Sequence, residues 1–132
     1  MATTVLMIRS GLAAIDLSSG KVARALTHFE RIAAEARAMG LIVDALCTEL
    51  RIAECLGRAG LEREMLARVD AIRSTAEASA IVHDPALREL FELAEKRDVS
   101  YALVSHVARF LEARERGSRA AYRPFRVAGD GC

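Results

Sequence analysis

The apolar residues of the chain recur at the spacing of an α-helix. In the second apolar segment, Val22, Leu26 and Phe29 stand three or four positions apart, which places them on one helical face. Met65 and Val69 repeat that spacing in the fourth segment. Breaks that contain glycine or proline separate the first five segments, and Arg97 and Asp98 separate the fifth from the sixth. The pattern predicts six helices, at about 4–17, 21–39, 42–56, 62–78, 85–96 and 99–115.

The breaks carry residue types that end or begin helices. Gly20, Gly40 and Gly60 stand where the periodic pattern stops, as expected at the ends of helices. The fourth break, "HDP" at 83–85, also starts a helix. Asp84 can cap the helix, and Pro85 is tolerated at its first position.

The composition favours an all-α fold. Of the 132 residues, 52% are hydrophobic but only 5% are aromatic, which suits close-packed helices better than a β-sheet. The length fits one domain, predicted at 1–117. The segment 118–132 has glycines, a proline and no period, so we expect a loose basic tail there.

The charge balance argues against a bulk attraction to nucleic acid or to an anionic membrane, because the formal net charge is +1. Basic residues cluster only near the C-terminus. This cluster comprises Arg114, Arg116, Arg119, Arg123 and Arg126. We interpret it as a solvated tail in preference to a nucleic-acid or membrane arm.

The sequence favours a cytoplasmic protein without a membrane span. Arg9 and Asp16 interrupt the N-terminal apolar run, and no basic region precedes it, which argues against a secretory signal. No apolar stretch approaches the roughly 20 residues that span a bilayer. The cysteines, Cys47, Cys55 and Cys132, are odd in number and form no close pair, as expected in a reducing compartment.

An internal repeat of forty residues accompanies the helical pattern. A shift by forty matches seven positions, a modest excess over chance for an alanine-rich chain. The matches are Leu6 with Leu46, Ala13 with Ala53, Gly20 with Gly60, Leu26 with Leu66, Ile32 with Ile72, Ala36 with Ala76, and Ala38 with Ala78. They include an inter-helix glycine with apolar positions on both sides of it. Such a repeat predicts stacked helical hairpins.

The repeated residues resemble the tetratricopeptide-like family of helical repeats. Three kinds of position carry the likeness over about 5–78. Ala13 and Ala53 fit the small position of the first helix, and the apolar residues just before them are Leu12 and Ile52. Gly20 and Gly60 fit the turn. The second helix is matched by Ala25 and Phe29 in the first unit, and Met65 and Val69 stand at those positions in the second. The resemblance implies a short solenoid of antiparallel hairpins at about 4–39, 42–78 and 85–115.

The chain also departs from the family's usual pattern. Arg9 and Glu49 replace bulky apolar residues, and Arg37 and Glu77 replace a terminal proline. With the forty-residue period, these departures make it similar to the longer, degenerate repeats of large bacterial regulators of the maltose-activator or LuxR type. A generic helical bundle whose glycines coincide by accident is the alternative.

The resemblance implies a non-catalytic interaction module that binds a protein or peptide on its concave face. The expected partner-binding residues are Met7, Ser10 and Ala14 from the first unit, and Cys47, Leu50 and Glu54 from the second. We expect Met7, Cys47 and Leu50 to be exposed as an apolar patch for an amphipathic helix or for a second copy of the chain. In the alternative, the sixth helix folds back and fills the groove.

The segment "LAEKRDVSYALVSHVARFLE", 93–112, allows a second interpretation. It is similar to the helix-turn-helix of the lactose-repressor family, which would make the chain a DNA-binding regulator through about 86–112. The expected DNA-binding residues are then Ser100, Tyr101, Ser105, His106 and Arg109. Asp98 stands where the turn prefers glycine, and acids outnumber bases by one over 84–117. We therefore favour a third hairpin that closes the solenoid.

No enzymatic, metal or cofactor site is predicted. "SSGK" at 18–21 lacks the first glycine and the final serine or threonine of a phosphate-binding loop. His28, His83 and His106 are scattered, and with Cys47 and Cys55 they make no zinc spacing. We expect both cysteines to be structural fillers, and acids such as Glu54 to be solvated charges.

Overall fold

The computed structural model describes residues 2–125 and places six α-helices and no strand among them. The helices are α1 (Ala2–Ser18), α2 (Val22–Ala38), α3 (Ile42–Arg58), α4 (Glu62–Ala78), α5 (Pro85–Glu95) and α6 (Tyr101–Glu115). The predicted all-α class is confirmed, and no predicted helix end is wrong by more than two residues. No helix in this range is long and apolar enough to cross a membrane.

The first four helices follow a step of twenty residues. Each contains 17 residues, and they begin at Ala2, Val22, Ile42 and Glu62. The sequence analysis found the forty-residue period and missed this shorter step, although Ala25 and Ala45, and Ile32 and Ile52, are buried at equivalent positions of successive helices. Each forty-residue unit is therefore a pair of helices of equal length.

All six helices end in the same backbone motif. At the end of α1, the Lys21 N–H donates to the Asp16 carbonyl at 2.9 Å, and the Gly20 N–H donates to the Leu17 carbonyl at 3.1 Å. This pair of bonds is the Schellman motif, which requires a left-handed residue after the helix. The left-handed residues are Gly20, Gly40, Gly60, Ala80, Arg97 and Gly117. In the fifth turn the left-handed residue is Arg97, so the expectation that Asp98 holds this place is wrong.

The helices pack as antiparallel neighbours joined by short turns. Each helix contacts the next along the chain, consistent with stacked hairpins. α3 lies at the centre and contacts α1, α2, α4 and α6. The third hairpin does not simply extend the stack, because α6 lies along α3. The alternative in which the sixth helix folds back therefore describes the packing, although a groove remains beside it.

Two features let other helices approach α3 closely. Ala53, at the expected small position, is fully buried. Gly57 leaves no room for a side chain, because an added Cβ would lie 2.6 Å from Met65 Sδ and 2.7 Å from Tyr101 Cβ. α4 and the start of α6 thus meet α3 at a residue without a side chain.

Ion pairs between neighbouring helices use the positions that depart from the repeat pattern. Arg9 pairs with Glu35, and Arg37 pairs with Glu49, in each case between consecutive helices. Arg68 of α4 also contacts Glu49, at 2.9 Å. Arg9, Arg37 and Glu49, three of the departures from the predicted pattern, therefore form ion pairs between helices.

The first part of the C-terminal tail is packed against α5 and α6. The Tyr122 ring lies 5.0 Å from the Phe110 ring and 5.4 Å from the His106 ring, and its hydroxyl donates to Glu89. The Phe125 N–H also donates to Glu89. The expectation of a loose tail is therefore wrong for 122–125, where these contacts lie, while 118–121 are exposed. Its remainder, 126–132, with Arg126 and Cys132, lies outside the described residues.

Candidate functional site

A groove of about 370 Å³ opens between α1, α3 and α6, and we call it the α1–α3–α6 groove. Its apolar lining comes from α1, α2 and α3. Leu6, Phe29, Ile32 and Cys47 form this part, and each is buried. The volume lies in the range that holds a small ligand or a few side chains of a peptide.

The α1 wall of the groove is formed by small residues and one long apolar side chain. Ser10, Gly11 and Ala14 leave space because their side chains are short or absent. Met7 lies at the edge of the groove and is 45% exposed. An unbranched thioether can adapt its shape to a partner, so Met7 suits a binding edge.

The opposite wall is charged and comes from α6 and its C-terminal end. Arg109, Glu112, Glu115 and Arg116 line it, and Asp44 of α3 lies across from them. Burial raises the pKa of Asp44 above its ordinary value. The groove thus joins an apolar floor to a rim that carries both signs of charge.

Arg51 holds α6 against α3 at the base of this wall. Its Nε and Nη2 donate to Glu112 Oε2 and Oε1, each at 2.8 Å, and its Nη1 donates to Glu54 Oε1 at 2.9 Å. Burial opposes the charge of Arg51, but the hydrogen bonds and charges of Glu112 and Glu54 raise its pKa well above the ordinary value. Arg51 is therefore a permanent cation that fixes the position of α6.

Glu54 is buried between two arginines. Its other oxygen accepts from Arg58 Nε at 3.0 Å, and its side chain is 1% exposed. Arg58 in turn lies over the Tyr101 ring, 4.9 Å from the centroid. The expectation that Glu54 is a solvated charge is wrong, because α6 covers this part of α3.

The predicted partner-binding residues divide into two groups. Met7, Ser10, Ala14 and Cys47 come together around the groove. Leu50 is fully buried in the core, as Glu54 is between its arginines, so neither side chain reaches a partner on the surface. Cys47 is also buried and contributes only to the floor. The expected patch of exposed Met7, Cys47 and Leu50 is therefore wrong except for Met7.

The placement of Leu50 also changes the expected effect of one substitution. Leu50→Arg would put a charge into the core and disrupt folding, whereas an exposed Leu50 would tolerate it. A groove that depends on Leu50 is thus excluded. The groove that the fold forms lies beside this residue, along α1 and α6.

The residues of the DNA-binding alternative do not share one free face. Ser100 caps α6, with its hydroxyl accepting from the Leu103 N–H at 3.2 Å, and Ser105 is buried. His106 is covered by the tail, since its Nε2 lies 2.7 Å from the Arg123 carbonyl oxygen. Tyr101 is exposed, and Arg109 lines the groove. Of the five expected contacts, Ser105 is therefore inaccessible, and Ser100 and His106 are engaged by other groups of the chain.

The two described cysteines are protonated fillers of the core. Burial, followed by the charges of Glu112 and nearby acids, raises the pKa of Cys47 far above its ordinary value. Burial and the charge of Glu54 raise the pKa of Cys55 to about 12. Over 2–125, no three His, Cys, Asp or Glu side chains are placed to hold a metal ion.

Sequence reasoning missed the residues that α6 brings to the groove. Glu112, Glu115 and Arg116 have no distinguishing spacing, and Arg51 reads as an ordinary surface position of α3. The signal of the groove in the sequence was the resemblance, which implied Met7, Ser10, Ala14 and Cys47 as binding residues.

No family model, curated protein or solved structure matches the chain. The groove's own geometry and chemistry are therefore the basis for inferring a function.

Proposed function

We propose that this chain is a non-catalytic protein–protein interaction module that binds a peptide or helix of another protein in the α1–α3–α6 groove. The observation that carries the proposal is a cavity of about 370 Å³ with an apolar floor and a rim charged with both signs. Binding pockets combine these features, since apolar burial supplies affinity and a few polar groups fix orientation.

The groove favours a partner that inserts apolar side chains and keeps its backbone at the rim. The floor around Ile32 and Cys47 accepts apolar groups, and the short side chains of Ser10 and Ala14 leave space for them. Arg109 and Glu115 stand at the opening and can pair with charges of either sign. A short amphipathic segment meets both requirements.

The proposal includes a tetratricopeptide-like architecture in a cytoplasmic regulator. The equal helix lengths, the glycine turns and the buried Ala13 and Ala53 support the repeat assignment. The free, buried Cys47 and Cys55 support a reducing environment. In a regulator, such a module recruits a partner and transforms no substrate.

A peptide display selection on the full chain tests the proposal. Peptides are selected for binding to the wild type, and their affinities are measured by fluorescence anisotropy. Ala14→Trp fills the groove and Met7→Asp places a charge at its edge, so both are expected to weaken selected peptides by about tenfold or more. Circular dichroism confirms that each variant stays folded.

Ala34→Trp is the matched control, because Ala34 is an exposed helical alanine of α2 that is not among the groove residues. It is expected to leave binding unchanged. If no peptide is enriched, or if the enriched peptides bind Ala14→Trp as tightly as the wild type, the groove is not a peptide site.

A further inference from the structure

α1 carries a second apolar face that nothing covers within 2–125. Val5, Ile8, Leu12 and Ile15 are 52–62% exposed, and we call these four residues the outer stripe. The opposite side of the same helix is buried through Leu6, Ala13 and Leu17. A helix that is apolar on opposite faces is typically buried on both.

The outer stripe has the geometry of a helix-packing seam. Its members follow one another at intervals of three, four and three residues, the spacing that lines up side chains along one face for a partner helix. Large exposed apolar patches of this kind mark interaction sites. The spacing therefore points to a helix as the occupant.

The flank of the stripe toward α2 is cationic. A cleft of about 440 Å³ between the two helices is lined by Leu12 and Ile15 of the stripe and by three arginines, with Asp16 as its single acid. The arginines are Arg9, Arg24 and Arg31. Two of them are already paired, Arg9 with Glu35 and Arg24 with Asp16 at 3.4 Å, whereas Arg31 is exposed and has no ion-pair partner among the described residues.

We propose that the outer stripe and the α2 arginines form a docking surface for an acidic amphipathic helix of another protein. The apolar side of that helix would cover the stripe, and its carboxylates would meet Arg24 and Arg31. This surface is separate from the α1–α3–α6 groove, because its residues lie on the other side of α1.

Charge complementarity favours an acidic helix over an antiparallel second copy of the chain. Two copies that packed antiparallel through their stripes would bring the same flanks together, so the arginines of both α2 helices would face one another. Like charges that face each other across an interface are unfavourable. An acidic helix instead neutralises them.

A helical peptide library displayed against the full chain tests the proposal. Leucines are fixed at the three-and-four spacing over about five turns, and the flanking positions vary among Glu, Gln and Lys. Selection is expected to enrich Glu at the flanks. Enrichment of Lys, the absence of a charge preference, or the absence of binding would overturn the proposal.

Two variants locate the site. Leu12→Asp is expected to weaken the selected peptides by about tenfold or more, and Arg31→Glu is expected to shift the selected flanks from Glu toward Lys. Ala14→Trp, which blocks the groove on the other side, should leave this binding unchanged. Equal loss in Ala14→Trp would assign the peptides to the groove and contradict a separate surface.

Two further measurements examine other occupants. Light scattering after gel filtration determines whether the wild type is a dimer that Leu12→Asp converts to a monomer, and sedimentation with phosphatidylserine vesicles measures membrane binding. A monomer that does not sediment supports the proposal. A stripe-dependent dimer, or vesicle binding that Leu12→Asp abolishes, would overturn it.

Discussion

Arg51 and Glu112 are separated by 61 positions in the sequence and are joined by two hydrogen bonds of 2.8 Å each. The paired geometry matches the fork of a guanidinium to the two oxygens of a carboxylate. Because Arg51 also donates to Glu54, it connects Glu112 of α6 to this buried carboxylate of α3. The wall of the groove therefore depends on this pair.

Glu112→Ala is expected to destabilise the fold by about 2–3 kcal/mol, because it leaves the buried Arg51 with fewer acceptors. The measurement is chemical denaturation followed by circular dichroism. Glu95→Ala removes the partner of Arg73 in an exposed pair and is expected to leave stability nearly unchanged, because water screens such pairs. Equal effects of the two substitutions would contradict a structural role for the Arg51–Glu112 pair.

The two helical glycines are expected to respond with opposite signs. Gly57→Ala should destabilise the fold by about 1–3 kcal/mol, because the new Cβ overlaps Met65 and Tyr101. Gly11→Ala should stabilise it by about 0.5–1 kcal/mol, because nothing lies within 4 Å and alanine favours the helix. Thermal unfolding of both variants checks the signs, and stabilisation by Gly57→Ala would disprove the close approach.

The backbone of Ala80 is strained at the end of α4, whereas glycine stands at the equivalent position after α1, α2 and α3. Its φ is +61°, in the region where a side chain is unfavourable, whereas Gly20, Gly40 and Gly60 adopt the same conformation freely. Ala80→Gly should therefore raise the free energy of unfolding by up to about 1 kcal/mol, and Gly60→Ala should lower it by about 1–2 kcal/mol. Urea titrations of both variants measure the difference.

The buried thiols are expected to make stability fall at alkaline pH. The pKa of Cys47 and that of Cys55, about 12, are higher in the folded chain than in the unfolded chain, so the unfolded state loses its protons first. The contribution of the two thiols to the free energy of unfolding is intact below about pH 9. It is lost as the pH rises toward the pKa values of the folded chain, at about 1.4 kcal/mol per pH unit for each thiol.

Two proteins are compared to measure this effect. The control carries Cys132→Ser alone, and the variant carries Cys47→Ala and Cys55→Ala in addition. Guanidinium denaturation between about pH 8 and 11 should show a flatter decline for the variant. Burial also raises the pKa of Tyr122, but both proteins retain this residue, so it does not enter the difference. Parallel declines would show that the thiols titrate normally.

The helices could be predicted from the sequence because their signals are local. Apolar spacing defined each helix, and Gly20, Gly40 and Gly60 marked the turns. Asp84 and Ser100 cap the last two helices through their side chains, as these residue types do at helix starts. Neighbouring helices joined by such short turns can pack in few ways other than antiparallel.

The site could be predicted only in part because it depends on distant contacts. The resemblance implied Met7, Ser10 and Ala14, which line the groove, but spacing does not encode that Glu112 meets Arg51. Glu54 illustrates the difficulty: a charged residue is assigned to the surface unless its cationic partners are known. The packed tail was missed because Tyr122 and Phe125 follow no period.

The position of α6 along α3 also bears on the order of folding. Each of the first four helices meets its neighbour across a three-residue turn, whereas α6 reaches α3 only after a long loop of chain has closed. Local contacts form with less loss of chain entropy, so the N-terminal hairpins are expected to assemble before α6 docks. Four stacked helices thus still lack one wall of the groove, so the partner binding that we propose there is expected only after α6 has docked.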